Sequence, residues 1–330
     1  MAEGSIPCPA YAWPLIFYYN FAYLYSLSLS LSRKHLPLPT GPNMDPNHWA
    51  LYEEALRYDQ VGDVYTSVKL LKKVVRIAPE WPEAFIALGV IYHRRREWKP
   101  AFHYWKQALA LDADDREAWW HLGLAAVGLG RKRVAQSVWD KFGFSEVPLD
   151  KPLALEVRQP EAGYEILWMQ PLDAGRGRIL SIPHPGSGLH FRDMMLYDRR
   201  MQTGTNVVDR RRVPVFRSLD RIKKSPYQTF SCLLHTSSEA AIQQLEKLCF
   251  DAGLGFEVWS NASRTTRLNR SNATEAERDN FPEYYNDLVP RPDHGTALIA
   301  IAAMHPAEVE RTLNAWEIIS LEGYSDLKQH

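Results

Sequence analysis

The stretch AFIALGVIYHRRREWKPAFHYWKQALALDADDREAWWHLGLA, residues 84–125, begins and ends on nearly the same phrase. Its dipeptide Leu88-Gly89 returns as Leu122-Gly123, 34 residues later. In both copies a large aromatic residue stands three positions before the leucine. A period of this length is typical of a repeated helical hairpin, so this stretch predicts an array of helix pairs.

The same period extends over three blocks without gaps, 48–81, 82–115 and 116–149. When the three blocks are aligned, small residues recur at two aligned positions, here called columns. Two antiparallel helices can approach closely there, and large residues three or four positions away fill the space around them. Gly62 and Gly130 share a turn column in which Arg96 replaces glycine. The residues predicted to shape the helix pairs are Ala55, Gly89, Gly123, Tyr58, Tyr92, Ser67, Ala101, Ala135, Trp105, Trp139 and Ala108.

This pattern resembles the tetratricopeptide repeat (TPR), a 34-residue helix–turn–helix family. The middle block carries the resemblance best, with Phe85, Leu88, Gly89, Tyr92, Ala101, Trp105 and Ala108 at the signature positions. The chain departs from the signature at Ala113, where proline is usual, at Glu54, where leucine is usual, and at Ala126, where tyrosine is usual. The resemblance covers about residues 48–149 and implies three repeats that stack into a superhelix with a concave groove.

The resemblance also implies which side chains line that groove. Most of them are apolar or aromatic, and the Lys, Asn and Arg residues with which some members grip a C-terminal carboxylate are missing. We therefore expect a non-enzymatic scaffold that binds an apolar peptide or helix, with no cofactor and no metal. Packing of the chain's own C-terminal half into the groove, or self-association, is the alternative. The predicted groove residues are Tyr52, Leu56, Ile86, Val90, His93, Trp120 and Leu124.

Composition fits a globular protein of two or more domains. Of the 330 residues, 45% are hydrophobic and 24% are charged, and the formal net charge is zero. No global field therefore draws the chain to nucleic acid or to an anionic membrane. The three cysteines form no C-x-x-C pair, which favours reduced thiols and a cytoplasmic location.

Residues 1–43 form a separate segment. Between Glu3 and Arg33 the sequence has no charged residue, and Ser and Leu alternate from Ser26 to Ser32 as a translated C/T dinucleotide tract would. We expect a spurious leader with the true start at Met44. The alternative is a single membrane anchor that has basic residues on its cytoplasmic side.

From about residue 150 helical spacing gives way to short apolar runs between Pro and Gly, such as YEILWMQPL, GRILSIPHP, DMMLYD, NVVD and VPVF. They predict a small β-rich module over 150–222. Two strand–helix–strand patterns then predict a ferredoxin-like α/β domain over 223–330, with a long polar loop at 261–295 that holds three N-x-S/T sequons. The expected fold class is a multidomain α+β protein with an all-α superhelix over 44–149. The second half resembles C-terminal regions of uncharacterised bacterial TPR proteins, which carries no activity with it.

One loop, PHPGSGLH, carries candidate catalytic residues. His184 and His190 could ligate a metal or move a proton, and the glycines at 186 and 188 could let the backbone approach a phosphate. The loop has no third ligand and no following helix with a lysine. We therefore interpret it as a tight turn, and an enzymatic or ligand-binding C-terminal half stays a second alternative.

The segment Arg192–Lys224 holds ten basic and four acidic residues, so nucleic-acid binding is the first alternative to the scaffold. The later strands lack a stacking aromatic motif, and a protein partner is therefore expected over nucleic acid. The candidate basic patch consists of Arg199, Arg200, Arg210, Arg211 and Arg212.

Overall fold

The computed structural model describes residues 45–143, 151–159, 163–208, 211–260 and 295–330. The side chains at 159, 163–164, 205–208 and 211–212 lie outside this description, as do the leader segment, the sequons and most of the predicted polar loop. The described part is an α+β protein with eight helices and two sheets. It divides into two compact units, here called the repeat unit (up to Ala118) and the C-terminal unit (from Trp119).

Six helices form three consecutive pairs joined by short turns. Asp45 and Asp63 begin the first two helices by accepting hydrogen bonds from backbone N–H groups of Asn47 and Thr66. Pro82 lies in the first turn of the third helix, where its missing N–H is harmless. The helices are α1 Pro46–Gln60, α2 Val64–Ile77, α3 Pro82–Arg94, α4 Trp98–Leu111, α5 Arg116–Gly128 and α6 Lys132–Lys141.

Close packing explains the small residues at repeated positions. A Cβ atom added at Gly89 would lie 2.8 Å from the Trp105 ring, and one added at Gly123 would lie 2.9 Å from the Trp139 ring. These contacts leave no room for a side chain between the two helices of a pair. Ala55 occupies the same column in the first pair and is fully buried. The second small column, Ser67, Ala101 and Ala135, is also buried, as are Trp105, Trp139 and Ala108.

The turns inside the helix pairs share one backbone conformation. Gly62 and Gly130 have φ of 87° and 69°, and Arg96 at the equivalent position has φ of 60°. Glycine adopts this left-handed region freely, whereas the Cβ of arginine makes it costly. The turn of the second pair is therefore strained relative to the other two.

Five strands close into a barrel within the predicted β-rich module. Neighbouring strands are antiparallel, and β1 and β5 close the barrel by pairing in parallel. The runs predicted as three separate strands between 193 and 216 belong to two long strands, because β4 continues through register shifts around Tyr197–Gln202. Apolar side chains fill the interior. The strands are β1 Leu153–Gln159, β2 Gly163–Pro171, β3 Arg176–Ile179, β4 Met194–Val208 and β5 Arg211–Lys223.

The last part of the C-terminal unit is a four-stranded sheet with two helices. Its spatial order is β7-β8-β6-β9, and every neighbouring pair is antiparallel. Trp316, Leu245 and Leu313 of the helices are fully buried in one cluster with the strands. The elements in chain order are β6 Gln228–Leu234, α7 Glu239–Asp251, β7 Gly255–Val258, β8 Ala297–Ala303, α8 Pro306–Ser320 and β9 Tyr324–Gln329.

The division falls between Ala118 and Trp119, within α5, and the predicted boundary between residues 149 and 150 lies outside the described residues. The third helix pair belongs almost entirely to the C-terminal unit, because its side chains pack on the barrel as described below. Among the residues that the structure describes, every helix is too short or too polar to cross a bilayer.

Candidate functional site

Trp120, a predicted groove residue on α5, is fully buried against the barrel. Its indole Nε1 donates a hydrogen bond of 3.0 Å to Oδ1 of Asp198 on β4. The guanidinium of Arg200 lies 4.4 Å from the centre of the indole ring, a cation–π distance. Asp198 also accepts a 2.8 Å hydrogen bond from the backbone N–H of Arg200. The same carboxylate therefore holds both the indole and the backbone of the arginine that lies over it.

Leu124, one helical turn further along α5, is fully buried beside the turn that precedes β3. A Cβ atom added at Gly175 would lie 3.4 Å from Leu124 Cδ2 and 3.1 Å from Trp139 Cζ2, so the backbone of the turn approaches both side chains closely. Asp173 holds the turn by accepting hydrogen bonds from the backbone N–H groups of Gly175 and Arg176. The inner face of the third helix pair thus binds a rigid piece of this chain's own barrel.

The equivalent positions in the repeat unit are less buried. Leu56 and Leu124 share a column with Val90, and Ile86 shares a column with Trp120. Leu56 on α1 and Ile86 and Val90 on α3 are only partly buried, although all three are apolar. Ile86 and Val90 are four residues apart and therefore lie on one helix face. These three partly exposed apolar residues, Leu56, Ile86 and Val90, are here called the repeat-unit groove.

Tyr52 and His93, the other predicted groove residues of the repeat unit, take part in packing. The Tyr52 ring is partly buried, with its centre 4.6 Å from that of Trp81. Burial, and to a smaller extent the charge of Glu83, raises the pKa of the Tyr52 phenol well above its ordinary value. The His93 ring is buried and meets Trp98 edge to face at 5.1 Å. His93 is therefore part of the core, whereas Tyr52 shares the column of Ile86 and Trp120 and is partly buried like Ile86.

The predicted basic patch does not form one exposed surface among the described side chains. Arg199 and Arg200 are partly buried, and Arg200 is committed to the Trp120 ring. Burial raises the pKa of the neighbouring Tyr197 phenol to about 12, partly offset by the charge of Arg199. Arg210 lies outside the described residues, and Arg211 and Arg212 are described only through the backbone of β5.

The loop with His184 and His190 is a tight turn that includes a short 3-10 segment, Pro185–Ser187. The backbone N–H of His190 donates to the buried carboxylate of Asp193, which also accepts a 2.6 Å hydrogen bond from Ser225 N–H and a 3.3 Å contact from Arg221. Burial lowers the pKa of the His190 imidazole. In the described parts of the chain, His, Cys, Asp and Glu form no group of three that could hold a metal.

Two pairings escaped the sequence analysis. Ser231 Oγ and His330 Nε2 are 2.8 Å apart, although the residues are 99 positions apart in the sequence. Burial, followed by the charges of Lys328 and His184, lowers the pKa of His330. The contact of Trp120 with Asp198 spans 78 positions. Neither pair has a motif or spacing by which a sequence could reveal it.

Comparison with known proteins adds little. No protein-family model and no curated protein matches the chain. Among solved structures, a structure of MamA matches with 19% identity and a TM-score of 0.28, covering 41% of this chain and 74% of that one. A second MamA structure matches with 18% identity and a TM-score of 0.27 over 38% of this chain and 68% of that one. A hypothetical protein from Neisseria gonorrhoeae matches with 12% identity and a TM-score of 0.23, covering 53% of this chain and 92% of that one. Similarity at this level carries no argument about function.

Proposed function

We propose that the chain is a non-enzymatic protein-binding scaffold of the cytoplasm, whose repeat-unit groove takes an apolar peptide or helix. The proposal rests on a difference in burial between the third helix pair and the first two pairs at two columns of the repeat. In the third helix pair Trp120 and Leu124 hold a segment of polypeptide, while at the equivalent positions Leu56, Ile86 and Val90 remain partly exposed. A face that already binds polypeptide in one repeat suits the same task in the others.

The chemistry of the groove limits the occupant. Ile86 and Val90 form an aliphatic stripe along α3, and Leu56 adds a third aliphatic contact on α1. Such a surface gains its affinity by removing apolar area from water, at roughly 25 cal/mol per Å². We infer that the occupant presents apolar side chains at helical spacing, as amphipathic helices do when they lie in grooves.

Two assignments go with this proposal. We assign the helix pairs over residues 48–149 to the TPR type, on the 34-residue period and the small columns that pack against Trp105 and Trp139. We assign residues 223–330 to the ferredoxin-like type. The strand order β7-β8-β6-β9, its antiparallel pairing and the two helices packed on the sheet support that second assignment. The buried free thiols of Cys232 and Cys249 suit a reducing compartment.

The test is selection of about sixteen-residue peptides from a display library on the full-length protein. We expect enriched peptides to carry apolar residues at i, i+3, i+4 and i+7, and to bind in the micromolar range when resynthesised. Val90→Asp should abolish that binding, because it places a charge within the apolar contact. The near-isosteric Val90→Thr should weaken it less.

Phe250→Asp is the matched control, since Phe250 is a 79% exposed apolar residue of the C-terminal unit. It should leave peptide binding unchanged. Urea midpoints of all three variants near that of the parent chain would show that they fold. If the peptides bind Val90→Asp as well as the parent chain, or if Phe250→Asp abolishes binding, the groove is not the binding surface.

A further inference from the structure

The barrel separates its charges between inside and outside. Over residues 151–227, the six carboxylates whose side chains the structure describes are all buried or partly buried. The seven charged side chains of the exposed class described in the same range are all basic. They are Lys151, Arg158, Arg178, Arg192, Arg221, Lys223 and Lys224. Among the described side chains, the exposed charges of the barrel are therefore all cationic, although the whole chain has zero net charge.

The carboxylates are held in place by the fold. Glu165 accepts a hydrogen bond from the backbone N–H of His184, and Asp173 pairs with Arg176 at 2.6 Å. Asp193 is fully buried and accepts from two backbone N–H groups and from Arg221. Asp193 therefore neutralises Arg221, whereas no ion pair is described for Arg178, Arg192, Lys223 or Lys224 among the residues that the structure describes.

Four of the seven exposed cations lie at one corner of the barrel. Arg178 on β3 and Lys223 on β5 both pair with Met194 on β4, so they flank it on the same face. Two strand spacings separate their Cα atoms by about 10 Å. Arg192 lies two residues before Met194, and Lys224 follows Lys223. This corner, Arg178, Arg192, Lys223 and Lys224, is here called the barrel patch.

Aromatic rings lie beside the barrel patch. The guanidinium of Arg192 is 5.3 Å from the ring centres of both Phe191 and Tyr227, and it donates a 3.3 Å hydrogen bond to the Tyr227 hydroxyl. Arg192 holds this position with φ of 65°, a conformation that costs energy for a residue with a Cβ. Phe191 and Tyr227 are themselves packed against a buried cluster, so they position the exposed guanidinium of Arg192. A planar guanidinium beside spaced cations is a feature by which proteins stack bases and follow a phosphate backbone.

We propose that the barrel patch binds single-stranded nucleic acid, with Lys223, Lys224 and Arg178 against phosphates and Arg192 against a base. Arg192, Lys223 and Lys224 belong to the basic segment that the sequence suggested, but none of them is among the five arginines of its candidate patch, of which Arg200 lies over Trp120. Charge complementarity identifies the partner as a polyanion. The stacked Arg192 favours nucleic acid over an acidic peptide.

The experiment measures fluorescence anisotropy of a fluorescein-labelled oligothymidine of about twenty nucleotides with the full-length chain over a range of salt. Three phosphate contacts predict a slope of log affinity against log salt of about −2. Arg178→Ala combined with Lys223→Ala should reduce the slope by about 1.4 and weaken binding about twenty-fold near 0.1 M salt. Lys247→Ala combined with Lys328→Ala removes the same charge from exposed positions on α7 and β9 and should change the affinity less than about twofold.

Three results would overturn the proposal. The first is a salt-independent affinity, or none, for the oligothymidine. The second is an equal loss in the control pair, which would indicate that total charge matters and the barrel patch does not. The third is displacement of the oligothymidine by a polyglutamate of equal charge at equal concentration, which would assign the patch to an acidic peptide.

Discussion

The third helix pair and the first two carry the same repeat but use its inner face differently. On α5, Trp120 and Leu124 are fully buried, and Asp198 and Gly175 of the barrel contact them. On α3, Ile86 and Val90 stand in the same columns and are partly exposed. The repeated small residues determine how the two helices of a pair pack on each other. The inner face of each pair is not fixed by the repeat, so it is buried against the barrel in one pair and partly exposed in another.

The largest expected effect tests that contrast directly. Trp120→Ala removes a buried indole, its hydrogen bond and its stacked arginine, and should lower the free energy of unfolding by about 3–5 kcal/mol. Ile86→Ala, in the same column, removes a partly exposed side chain and should cost about 1 kcal/mol. Urea denaturation followed by circular dichroism measures both. Equal losses would mean that the two faces are buried alike.

Gly89→Ala tests the close packing between the two helices of a pair. Alanine normally stabilises a helix relative to glycine by roughly 0.5–1 kcal/mol. At this position the new Cβ would lie 2.8 Å from the Trp105 ring, so we expect destabilisation of about 1–3 kcal/mol. A lower urea midpoint would show that the contact with Trp105 outweighs the gain in helix propensity. A stabilised variant would show that the helices of the second pair can move apart freely.

Arg96→Gly tests the turn in which the second pair departs from the others. The backbone at Arg96 has φ of 60°, and the equivalent residues, Gly62 and Gly130, are glycines. Removing the Cβ should stabilise the repeat unit by about 1 kcal/mol. Gly62→Ala introduces the same strain into the first pair and should shift the thermal midpoint in the opposite direction. Shifts of the same sign would contradict this account of the turns.

The smallest expected effect is a dependence on pH confined to the C-terminal unit. The pKa values of His190 and His330 are lowered, chiefly by burial, so the unfolded chain binds protons more readily than the folded one. Their contribution to stability is complete above the unfolded pKa of about 6.5 and is lost as the pH falls toward the folded values. Hydrogen exchange of C-terminal-unit peptides between about pH 7.5 and pH 5 should show this, after correction for intrinsic exchange.

Replacing both histidines with Gln should remove the dependence, and His103→Gln in the repeat unit should leave it unchanged. If the double variant keeps the full loss of protection on acidification, other groups cause it.

Sequence reasoning reached the helix pairs because their determinants are local. Contacts such as that of Gly89 with Trp105 lie within one 34-residue period, so the pattern repeats in the sequence. The docking of Trp120 on Asp198 joins residues 78 positions apart and depends on a bulged strand whose course no local pattern reveals. For the same reason the barrel closure was missed, since Ala154 pairs with Val215 far along the chain.

The barrel patch shows a related limit. Counting charges from Arg192 to Lys224 treats every arginine as equal, yet Arg200 covers an indole and Arg178, outside that segment, is exposed. Only the fold decides which charges face water.

The shape and charge of strand β9 affect self-association at high protein concentration. It is an outer strand of the four-stranded sheet, and an outer strand offers unpaired backbone groups to any other chain. Asp326 has φ of 56°, the pairing of β9 with β6 shifts register in this region, and Lys328 places a charge on the same border. A distorted, charged border resists the strand addition that leads to fibrils, which protects the protein from amyloid-like association through its last strand.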